Sequence, residues 1–239
     1  MDSARALSFG TAAEAYQRGR PGYPPSALRW VLPDGARNVL DLGAGTGKLT
    51  ASLLGLDEPG LEVVAVEPDA QMRALIDHRA TILAGAAEKI PLPDASVDAV
   101  VVGQAFHWFD PEAALDEMAR VLRPGGRVGL LWNALDDSVE WVAELCQLWR
   151  AEDRASLMGP DDDVPADGPA HGLSPFARRV VGHEQAIDPQ TALDIVASRS
   201  VVILLPAPER AEVLARTRQL VPAATTLPYL CDAWRADRY

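Results

Sequence analysis

Residues 39–50 read VLDLGAGTGKLT, an apolar run that meets glycines at alternate positions, Gly43, Gly45 and Gly47, and then a lysine. An apolar run, a glycine turn and a helical pattern make a strand–turn–helix unit whose turn lets a ligand approach the backbone. Three ligand chemistries use such turns, and the residues around the glycines separate them. A phosphate-binding loop needs GxxxxGK followed by Ser or Thr for magnesium. Here Leu49 follows Gly47-Lys48, and Leu42 stands where the first glycine belongs. A dinucleotide turn needs GxGxxG, its third glycine bringing helix and strand close, and Lys48 occupies that position.

The acids point elsewhere. Glu67 closes the next apolar run, where a carboxylate accepts hydrogen bonds from both hydroxyls of a ribose. Asp41 lies two residues ahead of the first glycine, where a carboxylate attracts an ammonium group and repels a pyrophosphate. The ligand that fits is a nucleoside with positive charge and no phosphate.

The pattern continues on both sides. Apolar runs at 37–42, 62–67, 81–85, 98–103 and 127–133 predict strands, and helical periodicity fills 48–56, 68–80 and 111–122. Pro124-Gly125-Gly126 predicts a turn before the fifth strand. Strands apolar throughout and separated by helices form a mostly parallel sheet covered on both faces, a doubly wound α/β domain. Residues 1–30 read as an N-terminal arm and 31–135 as the cofactor-binding half. The region 136–222 reads as a helical lid, with helices at 138–154, 189–198 and 207–221 and a Pro/Gly/Asp-rich loop at 155–172. Residues 223–239 supply a closing strand, and the whole of 1–239 is expected to be one domain.

Composition narrows the partners. The net charge is −12, and no cluster of Lys and Arg offers the basic face that nucleic acid requires. Cys146 and Cys231 lack metal-ligand spacing and read as buried free thiols in a reducing compartment. The N-terminus carries no signal-peptide pattern and no run is long enough to span a bilayer, so a soluble cytoplasmic protein without membrane partner is expected. The Asp161–Asp163 run reads as a solvated loop, and no metal site is expected.

With these residues in view, the chain resembles the class I S-adenosylmethionine-dependent methyltransferases. DLGAGTG is similar to their glycine motif, and EPDAQM at 67–72 to their ribose-binding loop. GAAEKIPLPDASVDAVVVGQAFHWFD at 85–110 resembles the adenine-side loop and fourth strand, and RVLRPGGRVGLLWN at 120–133 the entry to strand five. The arm at 9–24, FGTAAEAYQRGRPGYP, together with QAFHWFD, is similar to the type 11, trans-aconitate methyltransferase-like subgroup. The resemblance covers most of residues 9–135 and implies a Rossmann-like sheet of seven strands.

It also implies roles. Gly43, Ala44, Gly45, Thr46 and Gly47 would surround the methionine part of S-adenosylmethionine, with Asp41 near its amino group and Glu67 on the ribose. Pro68 and Met72 would pack on adenine, the Ala87 amide would reach a ring nitrogen, and Gln104 would lie near the methionine. Many relatives carry Asp or Ser where this chain has Ala86, which leaves the exocyclic amine of adenine to Glu88, to water or to no partner. Arg20 would pair with the cofactor carboxylate or with an acidic substrate, beside Tyr16 and Tyr23 on the arm.

His107-Trp108 falls just past strand four, and Asn133 ends strand five, both on the ligand edge. His107 is either a general base or substrate contact, or a histidine that holds its loop in place. Tyr16, Tyr23, Trp108 and Asn133 are candidate substrate contacts, whereas Trp132, Trp141 and Trp149 read as core or cap packing. His171 and His183 carry no assignment. The expected reaction is methyl transfer to a small molecule, at oxygen. The alternatives are a nicotinamide-dependent oxidoreductase on a similar sheet and a cofactor-binding protein without catalysis.

Overall fold

The apolar runs either side of the glycine turn become the centre of a seven-stranded sheet. The computed structural model describes residues 19–148, 164, 171–222 and 225–239. Its elements run α1 (Pro25–Val31), β1 (Asn38–Leu42), α2 (Lys48–Leu54), β2 (Glu62–Val66), α3 (Ala70–Arg73), β3 (Thr81–Leu83) and β4 (Val97–Gly103). A 3-10 turn at Phe106–Trp108 leads to α4 (Pro111–Val121) and β5 (Leu122–Leu135). Then follow α5 (Glu140–Gln147), β6 (Ala177–Ile187), α6 (Pro189–Ala197), α7 (Ser200–Ile203), α8 (Ala207–Leu220) and β7 (Thr225–Asp237).

The strand order is β3-β2-β1-β4-β5-β7-β6. Strands β1 to β5 pair in parallel. Arg238 exchanges backbone hydrogen bonds with Gly125 and Gly126, so β7 returns antiparallel to β5. The order reverses between β1 and β4, and in sheets of this kind the crevice beyond the carboxyl ends of those two strands receives the ligand.

By their contacts the described residues group into two compact units, 22–132, 164, 171–181 and 231–239 in one and 19–21, 133–148, 182–222 and 225–230 in the other. In the first unit, alternation along the strands feeds two layers. Leu40, Leu42, Val100, Val102, Val128 and Leu130 pack with Leu115 and Met118 of α4. Val39, Ala99, Val101 and Leu131 face the other way, against Leu28 and Val31 of α1 and Leu49 and Leu53 of α2. In the second unit, Leu145 of α5, Ile195 and Val196 of α6 and Leu227 of β7 share a separate core. Asp69, Asp110 and Asp188 cap α3, α4 and α6 through their side chains, with Pro at the first turn of α4 and α6.

Three elements differ from the sequence expectation. The helix expected over 68–80 is four residues long. Asp77 accepts from the Arg79 backbone and guanidinium, and this local turn replaces further helical bonds. Ile76 is thereby brought against Gly47, whose missing Cβ would lie 3.1 Å from the Ile76 Cα. Pro124-Gly125-Gly126 does not precede the fifth strand but lies within it. Val97 and Ala99 of β4 pair with Leu122 and Arg127, so the intervening residues form a bulge with Gly125 at φ 76°. Strand β6 escaped the apolar-run search because Arg178, Arg179, Glu184 and Gln185 interrupt its pattern, as suits a sheet edge.

Among the described residues Phe106 is the largest fully buried side chain, packed in the α4 layer with its ring edge-on to Phe109. Phe106→Ala is expected to lower stability by about 3–5 kcal/mol through the cavity it leaves. Urea denaturation measures this, and a loss under 1 kcal/mol would show that the site collapses or was never filled.

Candidate cofactor and acceptor site

The turn after β1 is held by backbone before any side chain acts. Gly43 and Ala44 donate to the Val66 carbonyl, and Gly47 donates to Ala44. Gly43, Gly45 and Gly47 have φ of 69°, 57° and 84°, the left-handed region that only glycine enters freely. Two of them also lack room for a side chain. A Cβ on Gly43 would stand 2.9 Å from Ala105 and Phe109, so the loops after β1 and β4 touch there. Gly45 differs, because a Cβ there would meet no atom within 4 Å. This is the open side of the turn.

Asp41 sits at the end of β1 with no exposed surface. Its Oδ2 accepts from the Thr50 hydroxyl at 2.6 Å, while its Oδ1 is buried and has no partner. Burial pushes its carboxyl up to about 7, opposed by the Thr50 hydrogen bonds. A buried acceptor without a donor is uncommon enough to ask for a ligand. An ammonium group is the donor that satisfies it and also favours the ionised carboxylate. Thr46 adds a second orphan, a buried hydroxyl in the turn itself.

Glu67, just past β2, is buried, and each of its oxygens takes one backbone amide, Gly45 at 2.8 Å and Asp69 at 2.9 Å. Burial raises its carboxyl above the usual carboxylate range despite those bonds. Each carboxylate oxygen retains another lone pair for a ribose hydroxyl. Pro68 is exposed and Met72 half-buried beside it, while Ala87 is buried. Glu88 accepts from the Asp110 amide at 2.9 Å, so one of its oxygens anchors the α4 cap. Gln104 stands at φ 59°, rare for a residue with a side chain, and donates its amide to Leu131. Thus Asp41, Gly43 to Gly47, Glu67 and Gln104 line the ends of β1, β2 and β4.

The candidate acceptor residues are spread more widely. His107 is exposed on the 3-10 turn, its ring 4.7 Å from the half-buried Trp108 ring. Tyr23 is buried in the α1 layer, with its hydroxyl pressed over Gly103 and its amide donating to Ser52. Asn133 and Arg20 belong to the second unit. There His183, its basicity lowered by burial, joins Asn133 at 2.9 Å and stacks on Tyr229. Arg20 is half-buried next to Gly19, whose carbonyl accepts from Gln185. Tyr16 and Trp149 lie outside the described residues. Among the described residues, no group of three or more His, Cys, Asp or Glu could hold a metal, and no helix is long and apolar enough to cross a membrane.

Sequence reading missed Thr50 and His183. Thr50 was visible as the one hydroxyl on the inward face of α2, between Leu49 and Leu53. His183 had no such signal, because its partner Asn133 lies 50 residues away.

Known proteins are similar to this chain in sequence and fold. The family model of the methyltransferase domain matches residues 40–130, from β1 through β5. An uncharacterized methyltransferase of Mycobacterium tuberculosis is 47% identical over 244 residues, covering 96% of this chain and 95% of its own. One from Schizosaccharomyces pombe is 40% identical over 148 residues, 59% of this chain and 58% of its own. Among solved structures, one from Anaeromyxobacter dehalogenans, assigned as a type II methyltransferase, aligns with a TM-score of 0.65 at 26% identity, over 92% of this chain and 97% of its own. With 47% identity to a methyltransferase over nearly the whole of both chains and this glycine turn on this sheet, the chain belongs to the class I S-adenosylmethionine-dependent methyltransferases.

Proposed function

We propose that the chain moves the methyl group of S-adenosylmethionine to an oxygen of a small-molecule acceptor. One observation carries the cofactor half of this reading: the buried, unpartnered Asp41 Oδ1 at the head of a turn whose Gly45 side is open. Asp41 takes the ammonium group, the backbone of Gly43 to Gly47 runs along the methionine, and Glu67 holds the ribose hydroxyls on its remaining lone pairs. Pro68 and Met72 flank the adenine, the Ala87 amide meets a ring nitrogen, and Glu88 offers its second oxygen to the exocyclic amine. When bound, the sulfonium supplies a methyl carbon whose bond to sulfur breaks as the bond to the acceptor oxygen forms, in line and with loss of the positive charge.

The acceptor half rests on His107. It is exposed past the carboxyl end of β4, where a proton on an acceptor hydroxyl must be removed. A carboxylate acceptor is already ionised and needs only alignment and loss of water. The net charge of −12 favours a small acceptor over nucleic acid.

Calorimetry with S-adenosylmethionine and S-adenosylhomocysteine tests the reading, and binding by neither would end it. Glu67→Ala is expected to weaken S-adenosylhomocysteine by about 100-fold, two charge-assisted bonds to ribose being lost. His107→Ala is expected to leave that affinity unchanged and to slow methyl transfer to a hydroxyl acceptor by about 10²–10⁴-fold.

A further inference from the structure

We propose that Thr50 is a positioning residue: its hydroxyl fixes Asp41 as the anion and turns the free carboxylate oxygen toward the ammonium group of the bound nucleoside. The inference rests on the reading of Asp41 given above and extends it to a residue that touches no ligand.

The geometry is local and complete. Both side chains have no exposed surface, and the Thr50 hydroxyl meets Asp41 Oδ2 at 2.6 Å, the short distance of a bond to a charged acceptor. With Oδ2 engaged by Thr50, Oδ1 is the oxygen with no donor at all, and it is buried. The strand neighbours of Asp41 cannot help, since Ala65 of β2 and Val101 of β4 face it in register. The charged group that acts on it is Glu67, which opposes ionisation. Lys48 opens α2, but burial makes its own amine easier to neutralise. Against burial and Glu67, Thr50 is the one side chain that favours the anion. A valine of the same shape would remove that support and leave the fold of α2 in place, since the Thr50 side chain is spent on Asp41.

Ligands with and without the ammonium group read this directly. Affinity of the wild-type protein for S-adenosylhomocysteine should rise from pH 6, level off above about 8, and fall about fivefold in T50V at pH 7, where a carboxyl one unit weaker is about a tenth ionised against half in the wild type. By pH 8.5 the gap should close. T50S, which keeps the hydroxyl, should follow the wild type. 5′-Methylthioadenosine shares the nucleoside and thioether but lacks the amino acid, so its affinity should be flat with pH and indifferent to T50V. Equal S-adenosylhomocysteine affinities for T50V and wild type at pH 7, a loss equal at pH 7 and 8.5, or a matching loss for methylthioadenosine would each overturn the role of Thr50. If T50V does not fold, Thr50→Ala takes its place, and the same three outcomes decide. A wild-type protein that binds S-adenosylhomocysteine at no pH would overturn the cofactor reading itself.

Discussion

Asp41→Asn is expected to abolish S-adenosylhomocysteine binding and, at pH 8, to raise the thermal midpoint of the free protein by about 5 °C. The two effects share one cause. In the folded chain the carboxyl titrates at about 7, against 3.8 for an ordinary one. Below pH 4 it is protonated folded or unfolded and makes no difference. Between about 4 and 7 the unfolded chain releases the proton while the folded chain keeps it, so stability falls as pH rises. Above 7 the loss is constant, on the order of 4 kcal/mol for a three-unit shift. Asparagine removes the charge but leaves an amide hydrogen without acceptor, which takes back about 1–2 kcal/mol. The net gain of about 2 kcal/mol gives the stated midpoint shift in a chain of this size. Calorimetric scans at pH 4 and pH 8 measure it. Destabilisation at both pH values would mean that the carboxylate is better solvated than its burial indicates.

Gly45→Ala and Gly43→Ala are expected to fail in opposite ways. Each forces a side chain into left-handed backbone, about 1–2 kcal/mol. At Gly45 nothing else is disturbed, because the space beyond is open to 4 Å. The fold should survive, and S-adenosylhomocysteine affinity should drop by about 100-fold or more, the methyl group standing where the proposed reading runs the methionine. At Gly43 the new methyl would press to 2.9 Å on Ala105 and Phe109, adding about 1–3 kcal/mol of overpacking. That variant should lose stability first and binding as a consequence. Chemical denaturation paired with calorimetry separates the two, and a Gly45→Ala protein with native affinity would remove the ligand from the turn.

What could be read from the chain beforehand follows from how local each signal is. Strands β1, β2 and β4 are buried on both faces, so their continuous apolar runs declared them. The glycine turn and Glu67 carry the proposed cofactor reading because its chemistry is set within a few residues of each strand end. Strand β6 carries polar residues at a sheet edge, and its pairing comes from far along the chain, so no short window revealed it. The bulge in β5 was read as a turn because Pro-Gly-Gly has the same local preferences in either setting. The acceptor residues are the least legible. Tyr23 reads in sequence as a candidate substrate contact on the arm and is a core residue in the fold, packed in the α1 layer with its hydroxyl over Gly103, 80 positions on.

Glu67 reaches back to the Gly45 amide, and this has a consequence for how the protein meets its ligand. That bond clasps the loop in shape, through the same carboxylate that in the proposed reading receives the sugar. Arrival therefore requires no folding of the loop, and little chain entropy is surrendered on docking. Enzyme awaiting its donor and enzyme holding spent donor should present nearly the same loop, which allows the used nucleoside to leave without unravelling it.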